Sequence, residues 1–169
     1  NDPTDAQKEA VAKLMQYCGT SVGMDYTSSA SSAHTSRVAD ALISYFGFDN
    51  TTKFVHRANY TYAMWIDLIY DELVAARPVE YDGHSSGGGH AFVIDGYDRD
   101  DLFHVNWGWG GSSDGYFALS VLNPDDDGQI GASGSSDGYS GSQGAMIHCQ
   151  ILGESAEPEP ACLSMTLLG

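Results

Sequence analysis

Gly87-Gly88-Gly89-His90-Ala91-Phe92-Val93-Ile94-Asp95-Gly96 is the stretch on which the reading of this sequence turns. Three glycines let the backbone bend tightly and leave open space beside one histidine. The apolar run that follows has the composition of a buried strand. A rigid strand behind an open lip fixes an imidazole while leaving room for a substrate backbone. His90 is therefore the candidate catalytic group. Close behind comes Phe103-His104-Val105-Asn106-Trp107-Gly108-Trp109-Gly110-Gly111. A working imidazole needs a partner on its second nitrogen. Asn106 offers an amide for that purpose, and Trp107 offers a cover that excludes water. The same residues also read as a tight turn with packed aromatics, and spacing alone does not choose between the two.

The other histidines lack this setting. His56 and His148 alternate with apolar residues, His34 and His84 lie in polar stretches, and His104 sits within a strand facing opposite to Val105.

Outward from the glycine lip, strand-like runs dominate the chain after Pro78. They cover Val79 to Tyr81, Ala91 to Tyr97, Leu102 to Asn106, Tyr116 to Leu122 and Ala145 to Leu152. Turn-forming residues separate them, as in Ser112-Ser113-Asp114-Gly115. Before Pro78 the apolar spacing is helical. A helix over 4–18 opens with Thr4-Asp5-Ala6-Gln7, the pattern of a capping box, and stops at Gly19. A second helix, capped by Thr35 or Ser36, buries Val38, Ala41, Leu42, Tyr45 and Phe46. A short strand follows at Lys53 to Ala58. A third helix runs from about Thr61 to Ala76 with Trp65, Ile66 and Ile69 in its buried stripe. Helices first and an antiparallel sheet second make an α+β fold. Residues 1–152 read as one domain, 1–77 mostly helical and 78–152 mostly sheet. The Glu/Pro-containing stretch 153–169 reads as a tail or linker.

The chain has 169 residues, 42% of them apolar, enough for one domain with a core. Its 23 acids against 7 bases give a net charge of -16. That field repels nucleic acid and acidic membrane surfaces, so neither is an expected partner. No stretch has the length and apolarity of a membrane span, and no leader pattern opens the chain. Because it begins Asn1-Asp2-Pro3, the sequence reads as a processed or excised piece. Cys18, Cys149 and Cys162 have no metal-ligand spacing, so no structural zinc is expected. Asp125-Asp126-Asp127-Gly128 lacks the alternating ligands of a calcium loop, and residues 125–144 read as a surface loop or flap. No metal or cofactor is expected. Cys18 lies on the apolar face at the end of a helix, which reads as a core position. Cys149 alternates into the inner face of the last strand.

Gly88-Gly89-His90-Ala91-Phe92-Val93-Ile94-Asp95-Gly96, His104 to Gly111, and Ser113-Asp114-Gly115 together resemble the streptopain family of papain-like bacterial cysteine peptidases. Met24-Asp25-Tyr26 and the Ser-rich stretch up to Ser36-Arg37-Val38 are similar to that family too, and the likeness runs from about Ala10 to Leu152. It implies a papain-like fold, a helical part followed by a twisted antiparallel sheet, whose N-terminal segment is missing here. It also implies a secreted bacterial endopeptidase that works through a Cys-His dyad on protein or peptide substrates. His90 matches the catalytic histidine, and Asn106 and Trp107 match the pair that positions and shields it. Gly89 would bind the substrate backbone. Ser29 and Ser31 would border the pocket for the residue before the scissile one, for which the resemblance implies an apolar preference.

One departure bears on mechanism. The family's nucleophile opens a helix in a Gly-Cys-Val-Ala-type motif, and this chain has none. The cysteine is therefore expected on a preceding segment, or on a separate chain of the same precursor. A non-catalytic peptide-binding module on a degenerate fold is the alternative, and Cys18 as nucleophile is a weaker one. Asp82, in the strand before the lip, is a charged residue where an uncharged one would disturb a thiolate less.

Overall fold

The computed structural model describes residues 2–98, 101–125 and 138–153. In chain order the elements are α1 (Asp5–Ser21), β1 (Asp25–Tyr26), β2 (Ser31–Ser32), α2 (Val38–Tyr45), β3 (Lys53–His56), α3 (Tyr62–Val74), β4 (Val79–Ser85), β5 (Gly88–Tyr97), β6 (Phe103–Asn106), β7 (Gly115–Phe117) and β8 (Gly141–Ile147). Single 3-10 turns precede α2 and α3. β1 and β2 pair as a small hairpin, and the other strands form one sheet in the order β3-β8-β4-β5-β6-β7. Every pairing in it is antiparallel. The α+β architecture, helices first and sheet after, is the one expected.

Thr4 caps α1 through the reciprocal bonds of a capping box with Gln7. Thr61 caps α3 by accepting from the Met64 N–H. The cap expected for α2 is absent: a 3-10 turn over Thr35–Arg37 leads into the helix without a side-chain bond. Gly19 does not stop α1, which continues to Ser21. It is buried because the Tyr26 hydroxyl lies 1.8 Å from where a Cβ would stand, so only glycine admits the β1–β2 hairpin there.

Strand register divides the sheet into two faces. Val79, Tyr81 and Gly83 of β4 stand opposite Ile94, Phe92 and His90 of β5. This face carries the core, where Trp65, Ile66 and Ile69 of α3 pack against Val79, Tyr81, Phe92, Ile94, Val105 and Trp107. Trp65 is wholly buried, and its indole N–H donates to the Tyr81 hydroxyl at 2.8 Å. The polar atoms of two large core side chains thus satisfy one another.

The opposite face holds Glu80, Asp82 and His84 of β4 beside Val93, Ala91 and Gly89 of β5. α1 and α2 lie on this side. Met15, Cys18, Leu42, Phe46 and Glu80 line a cavity of about 750 Å³ between them and β4. Burial, and then the neighbouring Asp82 charge, push the Glu80 carboxyl up to about 7.

Several expectations are corrected. Cys18 is exposed, not a core residue. The stripe it belongs to is open as well, with Val11 60%, Leu14 53% and Met15 64% exposed. Helical periodicity correctly finds an apolar face but cannot tell what covers it. β8 spans Gly141–Ile147, so residues 141–144 belong to the sheet and not to a surface loop. Cys149 lies beyond that strand, half-buried, after His148 turns the chain with φ +58. β7 ends at Phe117, well short of Leu122. Residues 126–137, Cys162 and most of the proposed tail lie outside the described residues.

One buried charge ties the far end of the sheet to α3. Glu72 is 2% exposed. Its carboxylate accepts from Arg77 Nε at 2.7 Å, from Arg77 Nη2 at 3.0 Å and from the His148 backbone N–H at 2.9 Å.

Candidate active site

His90 sits on β5 two residues past the Ser86–Gly87 turn that joins β4 to β5. Gly88 there has φ +131, which side-chain-bearing residues rarely adopt. Strand alternation then points the His90 ring to the core face. His90 Nε2 lies 2.9 Å from the carbonyl oxygen of Trp107. A carbonyl only accepts, so Nε2 carries the proton and donates it. This fixes one tautomer of the neutral ring and leaves Nδ1 to accept or deliver a proton. Aromatic rings hold the imidazole plane. Trp109 stacks on it with centroids 5.0 Å apart, Tyr139 lies at 5.4 Å, and Trp107 is near-parallel at 6.3 Å.

The loop after β6 supplies the two tryptophans of this cage. Trp107 is wholly buried, and its backbone N–H donates to Asp114 Oδ1 at 2.9 Å. The Asn106 amide oxygen accepts from the Gly108 N–H at 2.9 Å, closing a turn in which Gly108 has φ +78. These two contacts set the loop so that the Trp107 carbonyl faces His90.

Here the structure differs from the expected arrangement. Asn106 stands opposite Val93, on the face away from the His90 ring, and its side chain is exposed. Adjacent strand residues point to opposite faces, so His90 and Val93 cannot both face the same partner. The orienting bond to His90 comes instead from the Trp107 main chain, and Asn106 acts on the turn. The Trp107 ring lies near-parallel to the imidazole. Trp109, Tyr139 and Asp114 were missed as parts of the cage. Trp109 and Asp114 lie inside motifs already singled out, but Tyr139 reaches His90 through a pairing that no local pattern announces.

Gly89 lies across from His84, whose imidazole atoms stand 3.0 to 3.4 Å from where a Gly89 Cβ would be. The glycine is required by that ring as well as by any ligand. Ser29 and Ser31 are exposed in the β1–β2 hairpin, where Thr27 Oγ1 approaches Ser29 Oγ at 3.5 Å. Among the described residues no hydrogen bond joins either serine to His90 or Gly89. Asp82 stands opposite Ala91, away from the His90 ring, and its Oδ1 is buried without a hydrogen-bond partner among the described residues.

Gly83 is a second structural glycine of the site. A Cβ there would lie 2.0 Å from the Tyr139 carbonyl oxygen, a backbone atom that cannot rotate aside. Gly83→Ala is expected to cost about 1–3 kcal/mol of stability by overpacking, and to loosen Tyr139 from His90. Urea unfolding measures the first effect. Unchanged stability would show that the Tyr139 segment yields freely.

Neither described cysteine has the setting of a nucleophile. Cys18 lies in the last turn of α1, away from any helix N-terminus. Burial, and then Glu80 and Glu72, push the Cys149 thiol up to about 12. No cluster of three or more metal-ligating side chains occurs among the described residues.

Helices followed by a six-stranded antiparallel sheet, with a histidine held on one strand, make the papain-like cysteine peptidase fold. The peptidase C10 family model matches residues 1–117, and the chain belongs to that family. It is 43% identical over 144 residues to streptopain of Streptococcus pyogenes, covering 85% of this chain and 35% of that protein. It is 36% identical over 164 residues to the thiol protease/hemagglutinin PrtT of Porphyromonas gingivalis, covering 95% of this chain and 18% of that protein. The active wild-type interpain A cysteine protease of Prevotella intermedia superposes with a TM-score of 0.76 at 37% identity, covering 88% of this chain and 59% of that one. A prointerpain A fragment gives 0.70 at 34% identity, with 92% and 46% covered. The chain thus spans about a third of the length of the streptopain it matches.

Proposed function

We propose that this chain is the histidine-bearing part of a secreted bacterial cysteine endopeptidase, its nucleophile carried by a preceding segment or by a separate chain of the same precursor. The observation that carries the reading is the Nε2 bond from His90 to the Trp107 carbonyl, with Nδ1 free of hydrogen bonds among the described residues. In the complete enzyme His90 Nδ1 takes the proton of the thiol, and the resulting thiolate attacks the substrate carbonyl carbon. His90 delivers the Nδ1 proton to the departing amine, then takes a proton from the water that cleaves the acyl-enzyme. Trp107 and Trp109 keep bulk water from the ring, and Gly89 offers its backbone to the substrate chain. The open stripe of Val11, Leu14 and Met15 supports a covering segment, because an apolar face of this kind is normally buried against another element. No helix among the described residues is long and apolar enough to cross a membrane.

A thiolate-trapping epoxide tests the reading. Mass spectrometry of the mature gene product is expected to place the label on one cysteine outside this sequence, with Cys18 and Cys149 unmodified at neutral pH. Labelling of Cys18, or of no cysteine at all, would overturn it.

A further inference from the structure

The polar row on the face of β4 away from the His90 ring has no role in the dyad, yet it adjoins it. His84 packs on Gly89, the residue immediately before His90. Two residues along, about 7 Å on a strand, Asp82 lies opposite Ala91 on one side and Gly144 on the other. A Cβ on Gly144 would meet the Phe54 ring at 2.1 Å and Asp82 Oδ1 at 2.8 Å, so Phe54 closes the trough on that side. Over Ala91 and Gly89 there is only a methyl group and a bare backbone, and there the trough stays open. Its floor holds a carboxylate oxygen shut away from solvent with no donor among the described residues. An acceptor in that state costs free energy until a donor reaches it. The Ser-bearing hairpin stands on the same side of the sheet, because Met24 and Tyr26 share a cavity wall with Glu80.

We propose that His84 and Asp82, with Gly89 and Ala91 between them, form the subsite for the residue before the scissile one, and that this subsite selects arginine or lysine over an apolar side chain. The proposal rests on His90 and Gly89 marking the substrate path. A peptide backbone lying along Gly89 drops a side chain past the flat face of His84, against which a guanidinium stacks. The cationic head then supplies the donor that Asp82 lacks. Glu80 adds a second acid further along the same row. The apolar preference implied by the resemblance is replaced by a basic one.

The test uses the full mature gene product and peptides that differ only at the residue before the scissile one. Arginine peptides are expected to be cleaved at least tenfold more efficiently than leucine peptides. Asp82→Asn should lower kcat/KM for the arginine peptide at least tenfold more than for the leucine peptide, and His84→Val should reduce the arginine advantage partially. Equal loss on both peptides would show a structural role for Asp82 and overturn the proposal, as would a wild-type preference for leucine. Binding of the amino-side product peptide by calorimetry needs no thiol. Arginine-dependent binding that Asp82→Asn weakens tenfold, in a protein that cleaves nothing, would uphold the subsite and sink only the peptidase reading. Equal affinity for arginine and leucine products would sink the subsite.

Discussion

His90→Ala is expected to lower kcat/KM of the complete peptidase at least about a thousandfold, in line with loss of a proton carrier acting in both chemical steps. The fold should survive. His90 is half-buried at the rim of the sheet, and the core beneath it rests on Phe92, Ile94, Tyr81 and Trp65. Loss of ring stacking on Trp109 and Tyr139 is worth about 0.5–1.5 kcal/mol per pair, too little to unfold the domain. Circular dichroism and the urea midpoint should therefore stay near the wild-type values while hydrolysis of a fluorogenic peptide disappears. His90→Gln sharpens the result. Its amide can still donate to the Trp107 carbonyl but carries no transferable proton, so it should be as inactive as the alanine variant. A folded His90→Ala protein retaining more than a few per cent of activity would exclude His90 from the chemistry.

Glu72→Ala is expected to give the largest loss of stability of any single polar substitution considered, about 3 kcal/mol, the lower end of the range for breaking a buried pair. The lower end applies because the Arg77 side chain is 20% exposed and can recover some hydration. The His148 N–H loses its acceptor at the same time. His148 also presents its carbonyl to the Thr52 hydroxyl at 2.9 Å, so the contact that joins α3 to the end of β8 extends to the start of β3. A loss of this size lowers the thermal midpoint by roughly 6–12 °C for a domain of this length. Glu72→Gln keeps an acceptor for His148 but leaves Arg77 without a charge partner, and should fall between wild type and Glu72→Ala. A change below 1 kcal/mol for Glu72→Ala would show that the network is dispensable. Neither substitution touches the His90 cage, so activity at low temperature should remain.

Local chemistry in the sequence was sufficient for what local chemistry controls. The Thr4–Gln7 box, the helix opening near Thr61, the Trp65 stripe and the strand after the glycine lip all follow from neighbours within four residues. The placement of His90 on a strand just past a turn was legible because glycine, histidine and a strand run together. Asn106 was misread for a reason of parity. A motif places it next to Trp107 in the chain, but a strand puts adjacent residues on opposite sides, and the register turns Asn106 away. Pairings between distant segments were not legible at all. Tyr139 over His90, Gly83 against the Tyr139 carbonyl and the His148 N–H on Glu72 each join residues whose proximity only the folded sheet creates. Gly19 shows the same limit within a helix. Its small size was read as a stop, although its cause is a tyrosine from the next hairpin.

The anchor of His90 is a carbonyl oxygen, an atom that every amino acid carries. No side-chain substitution at position 107 deletes it. The imidazole's geometry is therefore insulated from point mutation at the anchoring residue itself, and is exposed instead through Asp114 and Gly108, which aim that carbonyl without touching the imidazole. Evolutionary drift in this site should register first as loop substitutions that slow the enzyme by degrees, leaving the histidine and its neighbour unchanged in name.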